Sequence, residues 1–256
     1  MLAYNQYGVI NKQRGTLVFI HGFCQNNTCF QEQVLFFKDS HAIVLVDLPG
    51  FGNSKAIQAH SIAEMANCLI GLLDELGVED FIPLGHSMGA YVALAMANKV
   101  PLRLKGLGII HSTAKADSPE RIAKRIQTKE FIVNNGMEPY VKAFIPGLFL
   151  EQNNNTEWVN EAIVRGMNAS QTGIVFAVQA MMQRPDLTHL LPELSVPVFW
   201  AIGKFDTLLP EIDLFAQAAT CKFAHIAYLK NSAHMGLIEE PEVFNTALLN
   251  YLDLLE

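Results

Sequence analysis

The chain has 256 residues, half of them apolar, with 18 basic against 25 acidic side chains and a formal net charge of −7. That length buries enough surface for one sizeable core and a small subdomain, and 17 % charged residues with a positive mean hydropathy exclude a disordered chain. The acidic balance excludes a protein that tracks nucleic-acid phosphates, and no run of about 18 apolar residues is present to span a membrane.

In chain order, Met1 to Gln6 has neither the basic nor the apolar segment of a signal peptide. The stretch from Leu2 to Tyr7 could supply an edge strand. Thr16-Leu17-Val18-Phe19-Ile20 is a short apolar run ending in His21-Gly22, and residues 42–46 repeat the pattern before Asp47. Ser61-Ile62-Ala63-Glu64 reads as a capping box opening a helix with Ile62, Met65, Leu69, Leu72, Leu73 and Leu76 on its apolar face, closed by Gly77. A strand over 81–84 runs into Gly85, an alanine-rich helix over 88–100 stops at Pro101, and a further strand over 107–110 precedes His111. From 112 to 191 no strand pattern occurs. Amphipathic helices over 121–134, 158–167 and 174–182 fill that block, separated by Asn134-Asn135-Gly136 and Asn153-Asn154-Asn155. Strand patterns return over 196–202 and 225–229, and a last helix over 241–255 starts with proline at a first-turn position.

Apolar runs bounded by glycine and alternating with helices predict a doubly wound, mostly parallel α/β sheet. The expected division is a core of residues 1–111 and 192–256, with a helical cap, 112–191, inserted between two strands. Four cysteines, Cys24, Cys29, Cys68 and Cys221, show no CxxC spacing and read as free thiols. A reducing compartment, the cytoplasm, is therefore expected.

Gly85-His86-Ser87-Met88-Gly89 matches G-x-S-x-G and lies where a strand turns into a helix. Such a turn holds a serine hydroxyl above the carboxyl edge of the sheet. A serine is a poor nucleophile without a base oriented by an acid. Among eight histidines, His234 follows the last strand and reaches the same edge. Asp206 follows the strand over 196–202 through Gly203-Lys204-Phe205, and Asp117 is the alternative acid. The order Ser87, Asp206, His234 suits this architecture. Acyl chemistry also needs donors for the developing oxyanion, assigned to the backbone N–H groups of Met88 and Phe23. Candidate substrate contacts are Cys24, His111 and Met235. His21 is expected to bond its own loop, and His86 to fill the elbow structurally. Asp47-Leu48-Pro49-Gly50-Phe51-Gly52 lacks the spacing of a phosphate loop and reads as a turn. Cap residues such as Phe144 and Met137 are expected to form cap core, with some facing Ser87. Arg121, Arg125, Arg165 and Arg184 would suit an acidic substrate only if one turned inward.

The set His21-Gly22-Phe23, Asp47 to Ser54, Gly85 to Gly89, Gly203 to Asp206 and His234 resembles the α/β-hydrolase superfamily over nearly the whole chain outside the cap. It is most similar to the serine esterase and 3-oxoadipate enol-lactonase branch. Serine at 87 departs from the branches that place aspartate there. The short stretch before Thr16 departs from the family's usual two strands, so a sheet of about seven strands is expected. The resemblance implies a serine hydrolase acting on a small ester, lactone or thioester as a monomer or homodimer. It implies no metal, no organic cofactor, no nucleic acid and no membrane. A C–C bond hydrolase or lyase acting on an acidic metabolite with the same triad is the first alternative. A ligand receptor without turnover is the second.

Overall fold

A computed structural model describes residues 1–10, 15–151 and 156–255; the Asn153-Asn154-Asn155 loop lies outside them. Seven strands form one sheet: β1 Tyr4–Tyr7, β2 Thr16–Ile20, β3 Ile43–Val46, β4 Phe81–His86, β5 Leu107–Ile110, β6 Val198–Gly203 and β7 Ala224–Leu229. Their spatial order is β1-β3-β2-β4-β5-β6-β7. β1 pairs antiparallel to β3, and every other pairing is parallel. β2 to β6 are buried along their whole length, which explains their uninterrupted apolar sequences; a parallel sheet is covered on both faces.

The helices are α1 Gln31–Phe37, α2 Ile62–Glu75, α3 Met88–Lys99, α4 Pro119–Asn135, α5 Met137–Phe144, α6 Glu157–Met167, α7 Gln171–Met182, α8 Glu211–Ala218, α9 Gly236–Glu239 and α10 Pro241–Asp253. α2 packs on α3, and α1 packs on α10. The chain runs outward from β2 to β3 and then returns to β4 on the other side of β2. The strand order therefore reverses between β2 and β4, where the crevice of a doubly wound sheet receives ligands. Register pairs Ile20 with Gly85 at that point.

Helices α4 to α7 occupy the chain between β5 and β6. The sequence pattern missed α5. It has eight residues, with Pro139 in its first turn, too short for a periodic signal. It is set off from α4 by Gly136 at φ +84°. The capping box at α2 also differs in detail. Ser61 Oγ accepts from the Glu64 N–H at 3.1 Å, but the Glu64 carboxylate accepts from the N–H of His60 rather than that of Ser61, at 2.7 Å. β6 begins at Val198 because Pro197 has no N–H to give to the ladder. Among the described residues, no helix is long and apolar enough to cross a membrane.

Candidate active site

Ser87 sits between β4 and α3 with φ +51° and ψ −116°, a left-handed backbone that a side-chain-bearing residue adopts only when its surroundings enforce it. They do. Its N–H donates to Ile110 O at 2.9 Å, and its own carbonyl accepts from Ser112 Oγ at 2.8 Å and Ala90 N–H at 3.0 Å. The flanking glycines are needed for two different approaches. A Cβ at Gly85 would strike the Ala90 backbone, whereas one at Gly89 would strike the carbonyl of Ile20 on the neighbouring strand.

The structure brings three distant side chains together at this point. His234 Nε2 lies 2.8 Å from Ser87 Oγ, and His234 Nδ1 lies 2.7 Å from Asp206 Oδ2. The other carboxylate oxygen, Oδ1, accepts from the N–H groups of Leu208 at 2.9 Å and Leu209 at 3.2 Å. An ionised carboxylate only accepts, so Nδ1 carries a proton and Nε2 turns its lone pair to the serine hydroxyl. Burial works to raise the Asp206 carboxyl. The opposing charge and hydrogen bond of His234, with help from His111 and the Leu208 N–H, hold it below the usual carboxylate range.

His234 is held at its backbone as well. Its N–H donates to Leu148 O at 2.9 Å, and its carbonyl accepts from His86 Nε2 at 2.9 Å. His86 therefore does more than fill the elbow. The next residue back, Ala233, donates its N–H to Glu239 at 2.8 Å, and the same carboxylate takes the Leu150 N–H at 2.7 Å. Leu148 and Glu239 carried no sequence signal, because a backbone carbonyl has no identity in the sequence and Glu239 is one of two adjacent acids.

On the facing loop, His21 Nδ1 bonds Gly22 O at 2.8 Å and its Nε2 accepts from Leu48 N–H at 2.9 Å. A Cβ on Gly22 would lie 2.8 Å from His86 and 3.2 Å from Ser87 Cβ, so glycine lets this loop close on the elbow. The Phe23 ring meets Phe51, Tyr140 and Phe144 at centroid distances of 6.2, 6.3 and 5.9 Å. Helix α5 thus rests on the loop that carries Phe23. Asp47 is a turn residue: its carboxylate accepts from Asn27 N–H at 2.9 Å and Asn53 N–H at 2.8 Å.

Cys24, His111 and Met235 are each 0 % exposed, so none of them lies on open surface. Burial pushes the Cys24 thiol far up, leaving it inert. His111, at φ +46°, has its Nδ1 3.9 Å from Asp206 Oδ2 and its ring centroid 5.9 Å from that of His234. Burial drives its imidazole down to about 3, against the pull of Asp206 and with added opposition from His234. Burial, then the charges of His234 and His111, likewise hold His86 well below the ordinary value.

Asp117, the alternative acid, is not the carboxylate that bonds His234. It pairs with Arg184 at 2.8 Å and with Arg125. Arg121 bonds Leu208 O, and Arg165 bonds Gln25 Oε1 at 3.1 Å and Glu161 at 3.4 Å. All four of these arginines therefore have partners within the chain.

A model of the alpha/beta hydrolase family matches residues 17–247 of the chain. A protein of Azorhizobium caulinodans named as a carbamate hydrolase, RutD, is 30 % identical over 82 % of this chain and 81 % of its own. A thermophilic esterase from Thermogutta terrifontis superposes with a TM-score of 0.92 at 29 % identity, covering 99 % of this chain and 93 % of that one. An enol-lactonase from Burkholderia xenovorans shares the fold, with a TM-score of 0.88 at 19 % identity over 98 % and 96 % of the two chains.

Proposed function

The chain belongs to the alpha/beta hydrolase family, and on that premise we propose that it cleaves a small carboxylic ester, lactone or thioester through an acyl-enzyme on Ser87. The observation that carries this reading is the unbroken relay from Ser87 Oγ to His234 Nε2 at 2.8 Å and from His234 Nδ1 to Asp206 at 2.7 Å. His234 takes the hydroxyl proton as Ser87 Oγ attacks the acyl carbon, and Asp206 stabilises the imidazolium. The backbone N–H groups of Met88 and Phe23 receive the oxyanion. As the tetrahedral adduct collapses, the same proton passes to the leaving alcohol or thiol. Water then gives a proton to His234, attacks the acyl-enzyme and frees the carboxylic acid and Ser87. No step in this sequence calls for a metal or an organic cofactor.

In this reading residues 112–191 form a cap over the site, carried by a core of 1–111 and 192–256. The contacts of α5 with Phe23, and of Leu148 with the His234 N–H, support it. The esterase and the carbamate hydrolase relative support hydrolysis at a carbonyl carbon. The arginine pairings with Asp117, Gln25 and Glu161 give no support to an acidic one. The four unpaired cysteines support a reducing compartment, the cytoplasm.

The test is turnover of a p-nitrophenyl ester. Ser87→Ala is expected to lower kcat by at least about four orders of magnitude with an unchanged unfolding midpoint. Retained turnover in a folded Ser87→Ala protein would refute the proposal.

A further inference from the structure

Away from Ser87, a cavity of about 280 Å³ opens between α2, α3 and the chain returning to the sheet at 184–187. Its walls are largely aliphatic, with Ile62, Ala66, Leu94 and Leu187 among them. Among the described residues the cavity is lined by two cations, Lys99 and Arg184, and by no acidic side chain, in a chain of net charge −7.

The two cations mark opposite ends. The Arg184 guanidinium lies 3.9 Å over the Tyr91 ring. Tyr91 and Lys99 both lie on α3, and their separation in sequence puts them about 12 Å apart along the helix axis. The ends differ in chemistry. Arg184 is 7 % exposed, and its charge is met by Asp117 at 2.8 Å. Two of its nitrogens also donate to Met181 O at 2.7 Å and Lys115 O at 2.9 Å. Its Nε, however, is buried without a partner. That atom has no accessible surface and a second carboxylate there would face Asp117, so that end suits the apolar tail of a ligand. Lys99 is exposed and held by the neutral side chain of Asn67, so that end suits an anion.

We propose that this cavity is a second ligand site, for a medium-chain monocarboxylate. The carboxylate lies on Lys99 at the mouth, and the aliphatic chain runs along Ala66 and Leu94. The roughly 12 Å between the two ends along α3 is about the extended length of octanoate. Both chain crossings between sheet and inserted helices border this cavity, and the Leu187 N–H ties them by donating to Ala114 O at 2.9 Å. A bound ligand therefore braces the base of the insertion. The site stands whether or not Ser87 performs acyl transfer.

The test is NMR of protein carrying labelled alanine methyls, titrated with octanoate and with 1-hexanol. Saturable shifts centred on Ala66, Ala95 and Ala114 are expected, with octanoate binding more tightly than the alcohol. Lys99→Ala, at an exposed position, should weaken octanoate about two- to fivefold, as loss of one exposed charge contact does, and should leave the alcohol unaffected. Ala95→Phe should remove the shifts by filling the space. Should that variant misfold, Lys99→Ala carries the test by itself. The proposal is overturned if no saturable shift occurs up to about 10 mM. It is equally overturned if the shifts fall on Ala233 beside His234 instead, or if Lys99→Ala binds octanoate as the parent does.

Discussion

His234 is fixed from every side on which it has a polar atom. Ser87 and Asp206 take its ring nitrogens, while Leu148 and His86 take its backbone N–H and carbonyl. The ring can therefore neither rotate nor exchange tautomers without breaking a bond at 2.7 or 2.8 Å. Asp206 decides the tautomer because both its oxygens only accept. Asp206→Asn places an amide there; its NH2 would face a proton-bearing Nδ1, so the imidazole turns its proton toward Ser87. A fall in kcat/KM of about 10⁴, with near-parent stability, is expected from steady-state kinetics on a p-nitrophenyl ester. A drop of less than tenfold would remove Asp206 from the relay. Ser87, Asp206 and His234 were legible because each follows a strand whose end could be read from Gly and turn residues. Full burial of Cys24, His111 and Met235 was not legible, since burial depends on what packs over a residue.

Elements are joined where the inserted helices leave and rejoin the sheet. Asp117 stands between β5 and α4, Arg125 on α4, and Arg184 just after α7, so one carboxylate links both crossings. The Asp117 side chain is 0 % exposed. Burial acts to raise its carboxyl, but hydrogen bonds and charge from Arg125 and Arg184 outweigh that and hold it below the usual range. Removing one partner of such a buried pair leaves the other uncompensated. Asp117→Asn should therefore lower stability by about 3 kcal/mol at pH 7. Because the folded carboxyl is the stronger acid, its contribution is complete above the unfolded value of about 3.9 and fades as pH falls through the folded one. Urea titrations should show the gap between parent and variant narrowing below pH 4; a gap that widens there would contradict the assignment. Further contacts seat the insertion on the core. The Ser170 N–H donates to Gly50 O at 2.9 Å, and Arg165 reaches Gln25 at 3.1 Å.

The whole molecule places its chemistry at the point where strand order reverses, between β2 and β4, and wraps it in neutral imidazoles. Burial lowers His21, His86 and His111 below the ordinary histidine value. In the unfolded chain these rings take up protons near pH 6.5, while in the fold they resist. The unfolded state thus binds more protons below that pH, and the stability these groups contribute is complete above it and lost as pH falls. One imidazole that stays neutral in the fold accounts for about 2 kcal/mol between pH 7 and pH 5. Unfolding free energies from urea should therefore drop by at least about 2 kcal/mol over that interval. A flat profile would mean that the buried histidines charge freely within the fold.

The sequence by itself determined the parallel sheet, the serine turn and the placing of Ser87, Asp206 and His234 after successive strands. Those features depend on backbone geometry over a few residues: apolar runs of strand length, glycines where chains approach, proline where a helix starts or stops. Only the tertiary structure decided that Arg184 answers Asp117, that Glu239 joins Ala233 to Leu150, and that α5 lies against Phe23. Such pairings connect residues far apart in the chain, and which partner a charge or carbonyl meets is fixed by how whole elements pack, not by spacing along the sequence.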